Sequence, residues 1–368
     1  MKTMETNFND NLRVGIIVPT RNRSEFITRL LNYYASLESP HTIYLGDSSD
    51  PPETDKIKKI ISDLSGKLNI VYHYSPPGDV GKCEYELLTL VKEKYACLLC
   101  DDDYHIPDTL TVCAEFLEKN PDYASAIGLS VSFKIKGNGV YGELVDIHDY
   151  PRKPIEHETA SDRLLYFFGA GLVPLVNCVS RTNQFRYFYE ETYQMKDMIF
   201  GHDVLPSALL AIAGKYKVID KLSFIRQLHL NHNPLPDMFD WVTGEKWNQN
   251  YAYVKDKLVK ALAEKDGLDQ KGAELSFKKA FWNHLSTWLP KDYGLYVNSL
   301  KPRQPKKLTI RMKIGNKFPF IKSLYRKTVR PLLNKRVQLH YEIVQPNSKY
   351  YKDFKSIVDS VTKSIQNL

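Results

Sequence analysis

The sequence predicts an α/β protein built on a mostly parallel sheet. Three observations carry that prediction. Short apolar runs alternate with stretches of helical amphipathic spacing over residues 14–130. The connections between them are rich in Gly, Pro, Asp and Ser. One apolar run, residues 95–100, stops on three consecutive carboxylates, Asp101, Asp102 and Asp103. Open α/β sheets bind their ligands at the carboxyl ends of their strands, which is where that triplet falls.

The elements follow in order. Val14–Val18 reads as a first buried strand. Pro19–Arg23 is a loop, and Ser24 is suited to N-cap a helix running from Glu25 to about Leu37. His41–Leu45 is a second strand ending on Gly46-Asp47-Ser48-Ser49-Asp50. Ile57, Ile60, Ile61 and Leu64 mark the next helix, and Leu68–Tyr74 the third strand. A turn-rich loop, Pro76–Gly81, leads into a helix over Lys82–Lys94, and Pro107-Asp108 opens another. Tyr123–Leu129 reads as a further strand. Gly137-Asn138-Gly139 is a turn between two strand-like runs. Residues 148–158 read as an exposed loop, Ser161–Phe168 as a helix start and Leu172–Val179 as a strand. Residues 187–203 are aromatic and polar. Val204–Ala213 is a short helix, Lys217–Leu230 a strand pair or one long strand, and 245–289 helical.

Composition bounds the function. A hydrophobic content of 43% supports an ordinary core, and no run reaches the ~18–20 apolar residues a membrane-spanning helix needs. Met1–Asn11 is polar and acidic, unlike a signal peptide, which predicts a cytoplasmic protein. The five cysteines are scattered, which argues against a disulfide framework; Cys97 and Cys100 read as core residues. The net charge of +8 is unevenly spread. Residues 293–341 hold 13 Lys/Arg and no Asp or Glu, and the rest of the chain holds 38 Lys/Arg against 43 Asp/Glu. Within that segment Ile321–Val337 is amphipathic and basic, suited to an anionic membrane surface or to packing on the body. Without a nucleic-acid-binding motif beside it, nucleic acid is the least favoured partner.

The chemistry gathers at the strand ends. Adjacent carboxylates repel, so a fold that holds three together supplies a cation, and hard oxygen ligands suit magnesium or manganese. A solvated acidic turn is the other reading. Asp47 can accept hydrogen bonds from a base or ribose, or serve only as a turn residue. Arg21, Arg23 and Lys82 can offer cations to phosphates, or be solvated surface charges.

With these residues in view, 14–130 resembles the nucleotide-binding half of the GT-A glycosyltransferases, especially the family 2 type. The resemblance is carried by Ile-Ile-Val-Pro-Thr-Arg-Asn-Arg at 16–23, Leu-Gly-Asp-Ser-Ser-Asp at 45–50, Gly-Asp-Val-Gly-Lys at 78–82 and Leu-Leu-Cys-Asp-Asp-Asp-Tyr-His-Ile-Pro-Asp at 98–108. It implies nucleotide contacts at Thr20 and Asp47, phosphate-side contacts around Gly81 and Lys82, and a metal–diphosphate pair at Asp101 and Asp103, with Asp102 able to replace either. Gly201-His202-Asp203 matches the context of the family's Glu-Asp, with His202 in the Glu position. Asp203 is then the general base and His202 a second participant. Arg226-Gln227-Leu228-His229 is similar to the family's Arg-x-x-His, which brings His229 to the diphosphate or metal.

The resemblance implies a GT-A fold divided into a nucleotide-sugar half (1–130), an acceptor half (131–240), a helical extension (241–300) and a basic C-terminal region (301–368). It implies a metal-dependent glycosyltransferase, inverting rather than retaining if Asp203 is the base, that uses a UDP-sugar. The acceptor would be a glycan or lipid-linked glycan in polysaccharide synthesis. The basic stretch 301–340 adds an expected contact with the cytoplasmic face of the inner membrane. A non-catalytic glycan-binding scaffold is the alternative from another class. A nucleotidyltransferase is disfavoured because Pro19–Arg23 contains no glycine.

Overall fold

The computed structural model describes residues 9–137, 139–170, 174–229, 236–300 and 338–362, with side chains of 298–300 left aside. Its centre is a nine-stranded sheet. The first four strands are β1 (Val14–Thr20), β2 (Thr42–Asp47), β3 (Asn69–Tyr74) and β4 (Tyr95–Leu98), and they lie parallel in the order β3-β2-β1-β4. Val14, Ile16, Ile17 and Val18 are all fully buried, as expected of a parallel strand covered by helices on both faces. The crossovers are α1 (Ser24–Ser36), α2 (Pro51–Asp63) and α3 (Val80–Leu90).

Beyond the acidic turn the chain forms β5 (Tyr104–His105), α4 (Pro107–Lys119), β6 (Tyr123–Ile135) and β7 (Leu144–Asp149). Then come α5 (Ala160–Gly169), β8 (Val179–Arg181), α6 (Thr182–Thr192), a π-helical turn (Met198–Val204), α7 (Leu205–Ala213) and β9 (Lys215–Gln227). β8 runs antiparallel between β4 and β6; β9 lies parallel to β6 and carries β5 on its other edge. α8 (Met238–Val242), α9 (Trp247–Asp266) and α10 (Gln270–Leu300) cover the second half. α11 (Leu339–Glu342) and α12 (Tyr351–Thr362) complete the described chain.

Several expectations shift. Arg23 takes the cap position of α1, and Ser24 is its first helical residue. Its hydroxyl donates to Glu53 Oε2 (2.6 Å), so α1 is tied to α2 at the ligand edge. β1 and β2 run further than expected and take in Thr20 and Asp47. The strand expected at Leu172–Val179 begins only at Val179. Before it the chain turns, with the Cys178 amide donating to the Leu175 carbonyl (2.9 Å), and Leu175 and Val176 are buried against the end of β4. Lys215–Gln227 is one long strand rather than a pair. α6 went unread, although Phe185, Phe188 and Tyr189 stand at helical spacing and are buried. Cys97 is core, but Cys100 is exposed and lines the cavity described below, because the chain leaves the sheet after Leu98.

The end of the chain also departs from expectation. Residues 301–337, with the amphipathic stretch Ile321–Val337, lie outside the described residues. Residues 338–362, expected to belong to a separate basic region, pack on the body. Phe354, Ile357 and Val361 of α12 are buried, α12 lies against α1, and the Gly142 amide donates to the Val361 carbonyl (2.9 Å). Asp220 at the base of the sheet receives both Lys349 Nζ and the Tyr350 hydroxyl. Among the described residues, no helix is long and apolar enough to cross a membrane.

Candidate active site

Parallel strands point their carboxyl ends one way, so the loops after β1, β2 and β3 and the acidic turn after β4 meet at one edge. There a cavity of about 1090 Å³ opens, large beside the ~300–1,000 Å³ of common ligand pockets. It is lined by Thr20, Arg21, Arg23, Ser48, Gly78 and Asp79 from the first half, by His202, Asp203, Arg226 and His229 from the second, and by the acidic triplet. The first two loops are stitched together by Asn22, whose left-handed backbone (φ 53°) an Asn tolerates. Its amide donates to Ser49 Oγ (2.8 Å), its side-chain oxygen accepts from the Asp50 amide (2.8 Å), and its side-chain nitrogen donates to Asp50 Oδ2 (2.7 Å).

The three aspartates have different surroundings. Asp101 accepts from Thr20 Oγ1 (2.7 Å) and Arg23 Nη1 (2.5 Å). Asp102 Oδ2 meets Arg23 Nη2 (3.0 Å) and His229 Nε2 (2.5 Å). Asp103 Oδ1 accepts from the Gln227 amide (3.0 Å), which ties the turn to the end of β9. Burial drives Asp101 up to about 6 even with Arg23 alongside. Burial also works against Asp102, but the hydrogen bond from His229 and the charge of Arg23 overcome it and hold that carboxyl at about 2. Burial and the Asp102 charge push Asp103 well above the usual carboxylate range.

Phe26 is the platform beneath Arg23 and His229. The Arg23 guanidinium lies 4.1 Å from its ring centroid, and His229 stacks on it at 5.6 Å. Arg29, which the sequence reading passed over, is 2% exposed and braces the turn from behind. It donates to the carbonyls of Asp102 (3.1 Å) and Val140 (2.6 Å) and to Gln227 Oε1 (2.7 Å).

The residues present fit a hard divalent cation. Ligand atoms of Cys100, Asp102 and Asp103 lie within 4.8 Å of one another. The carboxylates of that group suit such an ion and the thiol does not. Asp101 stands outside it, engaged by Thr20 and Arg23.

Asp203 sits inside the π-helical turn. Capping of that turn is done by Asp197, whose Oδ1 accepts from the amides of Ile199 (3.0 Å) and Phe200 (2.9 Å). Asp203 is therefore not a cap. No hydrogen bond to its carboxylate is seen among the described residues. Burial raises it to about 6, with His202 opposing and Glu84 adding to the rise. His202 Nδ1 meets Glu84 Oε2 at 3.0 Å.

The remaining expected residues fall as follows. Arg21 is exposed on the cavity wall. Asp47 is fully buried, accepting from the Ser49 amide (2.9 Å) and the Tyr72 hydroxyl (3.0 Å), so Ser48 rather than Asp47 lines the cavity. Gly81 is buried against His202, where an added Cβ would stand 3.1 Å from the ring. Lys82 is exposed, 3.7 Å from Glu86, and is not on the cavity wall. Glu84 was missed. Its signal was a charge on the buried stripe that includes Gly81, Leu87 and Leu88.

No family model matches the sequence. Over 191 residues, 51% of this chain, it is 25% identical to the poly(ribitol-phosphate) beta-N-acetylglucosaminyltransferase TarS of Staphylococcus aureus strain MW2, and equally to that of strain Mu50. The match takes in 32% of each relative, so this chain corresponds to about a third of their length. Among solved structures it is similar to S. aureus TarS 1–349 in complex with UDP-GlcNAc. There the TM-score is 0.53 at 17% identity, over 82% of this chain and 77% of that one. The strand order, the strand-end cavity and this likeness together show that the chain has the GT-A glycosyltransferase fold.

Proposed function

We propose that the protein is a metal-dependent, inverting glycosyltransferase that moves a sugar from a UDP-sugar to a hydroxyl of a glycan or lipid-linked glycan. The observation that carries this reading is the division of labour across one cavity. An acidic turn held by Arg23 and His229 shares the cavity with Asp203, a carboxylate raised to about 6 and without a hydrogen bond among the described residues. TarS is named for transfer of N-acetylglucosamine to poly(ribitol-phosphate) and has been crystallised with UDP-GlcNAc. An N-acetylhexosamine donor and a phosphate-bearing acceptor are accordingly the first candidates for this chain.

Asp102 and Asp103 would hold the manganese or magnesium, in place of the expected pair Asp101 and Asp103. When bound, the cation neutralises charge on the departing diphosphate. Arg23 and His229 fix the Asp102 carboxylate, and Arg29 fixes the turn that carries it. Arg21 and Arg226 supply positive charge at the cavity wall. Asp203 takes the proton of the acceptor hydroxyl as that oxygen attacks the anomeric carbon, so the C–O bond forms while the bond to the diphosphate oxygen breaks. A carboxyl near 6 is ionised at neutral pH and still basic enough to accept that proton.

We also propose that the protein works at an anionic membrane surface, on the strength of the basic composition of 293–341 alone. Replacing Lys322, Arg326, Lys327 and Arg330 with Gln should weaken binding to phosphatidylglycerol vesicles; unchanged binding removes that part of the proposal.

A thermal-shift panel of nucleoside diphosphates and nucleotide sugars, with manganese or magnesium, tests the main reading. Manganese-dependent stabilisation by UDP and its sugars is expected. Stabilisation by no nucleotide under any condition would favour a glycan-binding scaffold.

A further inference from the structure

Glu84 is a buried carboxylate on the inner face of α3, 4% exposed. A buried charge needs a compensating partner. Among the described residues no Lys or Arg pairs with Glu84; its ion-pair partner is His202, Nδ1 to Oε2 at 3.0 Å, with both side chains largely withdrawn from solvent. The arrangement fixes the imidazole. Nδ1 is committed to Glu84, while Nε2 has no hydrogen-bond partner among the described residues. The ring rim lies against Gly81, whose missing side chain leaves it room: a Cβ there would stand 3.1 Å from Cε1 and 3.2 Å from Nε2. His202 and Glu84 both line the cavity, beside Asp203 and the Gly78–Val80 loop.

We propose that Glu84 is a positioning residue that pins His202 as a charged hydrogen-bond donor, whose Nε2–H engages an oxygen of the transferred sugar. This rests on the reading of the cavity as a transferase site. The charges agree with it. Glu84 favours the imidazolium, and so do Asp203 in the same turn and Asp79 at the start of α3. Burial opposes them, and the net effect is to raise His202. The Tyr189 phenol is buried beside Glu84 and Asp203 and is pushed far up, so it stays neutral and offers no competing charge. An imidazolium beside Asp203 also restrains the rise of that carboxyl. A donor at this position suits a sugar hydroxyl or acetamido carbonyl.

The test compares Glu84→Gln and His202→Gln with the wild type by calorimetric binding of UDP-GlcNAc and of UDP, each with manganese, and by NMR titration of the histidine rings. Loss of one charge-assisted hydrogen bond should weaken UDP-GlcNAc binding roughly tenfold or more in each single variant. UDP binding should stay within about twofold, and the double variant should be no worse than either single one. The His202 titration should move to lower pH in Glu84→Gln. Gly81→Ala, which crowds the ring without touching either charge, should show the same selective loss of sugar affinity. Equal losses for UDP and UDP-GlcNAc, or no loss for either, would overturn the sugar contact. An unmoved His202 titration in a folded Glu84→Gln would overturn the pair itself. If the wild type binds neither ligand, the transferase reading fails, and the sugar contact fails with it, while the titration still judges the pair.

Discussion

Two acidic segments that line the cavity, the turn after β4 and the π-helical turn, hold the same chemical group in different surroundings. On the turn after β4, the carboxylates are met by the chain's own donors: Thr20 and Arg23 at Asp101, Arg23 and His229 at Asp102, and a backbone amide at Asp103. On the π-helical turn, Asp203 has been relieved of the capping role by Asp197 and carries no hydrogen bond among the described residues. A satisfied carboxylate is a fixed charge suited to binding. A carboxylate raised by burial is a better proton acceptor, and its desolvated charge costs the fold stability. On the proposed reading, the acid without a hydrogen bond among the described residues, Asp203, is the one for proton transfer.

The largest break in that comparison should come from Asp203→Asn. Turnover should fall about 10²–10⁴-fold, the usual worth of a general base. The same substitution should stabilise the protein. A folded carboxyl at about 6, against an ordinary 3.8, binds its proton more tightly than the unfolded chain does, so stability declines as pH rises through that window. Removing the group should return about 1–3 kcal/mol at pH 7, seen as a raised melting temperature. A melting temperature several degrees lower would make Asp203 structural.

On the turn after β4, Asp103→Asn and chelation by EDTA should each weaken manganese-dependent UDP binding by tenfold or more (roughly one charge-assisted contact). Asp101→Asn should weaken it less, since Asp101 stands outside the group of ligand atoms that Asp102 and Asp103 share. Equal effects at 101 and 103 would mean that this grouping does not decide which aspartates bind metal.

The pH dependence sharpens the contrast further. kcat/KM should drop on an acid limb near pH 6 as Asp203 takes up a proton. Asp102, held at about 2, keeps its charge throughout that range; its stabilising contribution is present above the ordinary carboxyl value and is lost only as pH falls toward 2. An acid limb that persists in Asp203→Asn would assign it elsewhere. The smallest effect on chemistry belongs to a site outside the cavity. Phe354→Ala in α12 should cost roughly 3 kcal/mol of stability, read by denaturant unfolding, and leave the donor KM nearly unchanged.

Much of the first-half lining was legible in the sequence because its signals are local. Apolar runs ending on Pro19–Arg23, Gly46–Asp50 and Asp101–Asp103 place those residues at strand ends without any long-range information. What local pattern could not tell was which partner each carboxylate takes. Asp47 turned inward to Tyr72, and Asp101 to Thr20 and Arg23, through contacts 25 and more residues apart. The second-half lining was found by resemblance at Asp203, His202 and His229, and its structure was less readable. Phe185, Phe188 and Tyr189 marked α6, but the exposed aromatic Tyr187 among them blurred the periodicity. Glu84 and Arg29 were invisible as site residues because each reaches its partner across the sheet edge, Glu84 at position 202 and Arg29 at positions 102, 140 and 227. The return of α12 was hidden by the basic segment before it. Its apolar stripe of Phe354, Ile357 and Val361 was nevertheless present in the sequence.

On this reading binding belongs to the acidic turn and proton transfer to Asp203. UDP affinity and UDP-sugar turnover, determined side by side with manganese for the wild type and Asp203→Asn, separate the two roles. Equal UDP affinity in the two proteins is expected, with turnover lost only in the variant. A variant that turns over like the wild type, or one that loses UDP binding along with turnover, would contradict it.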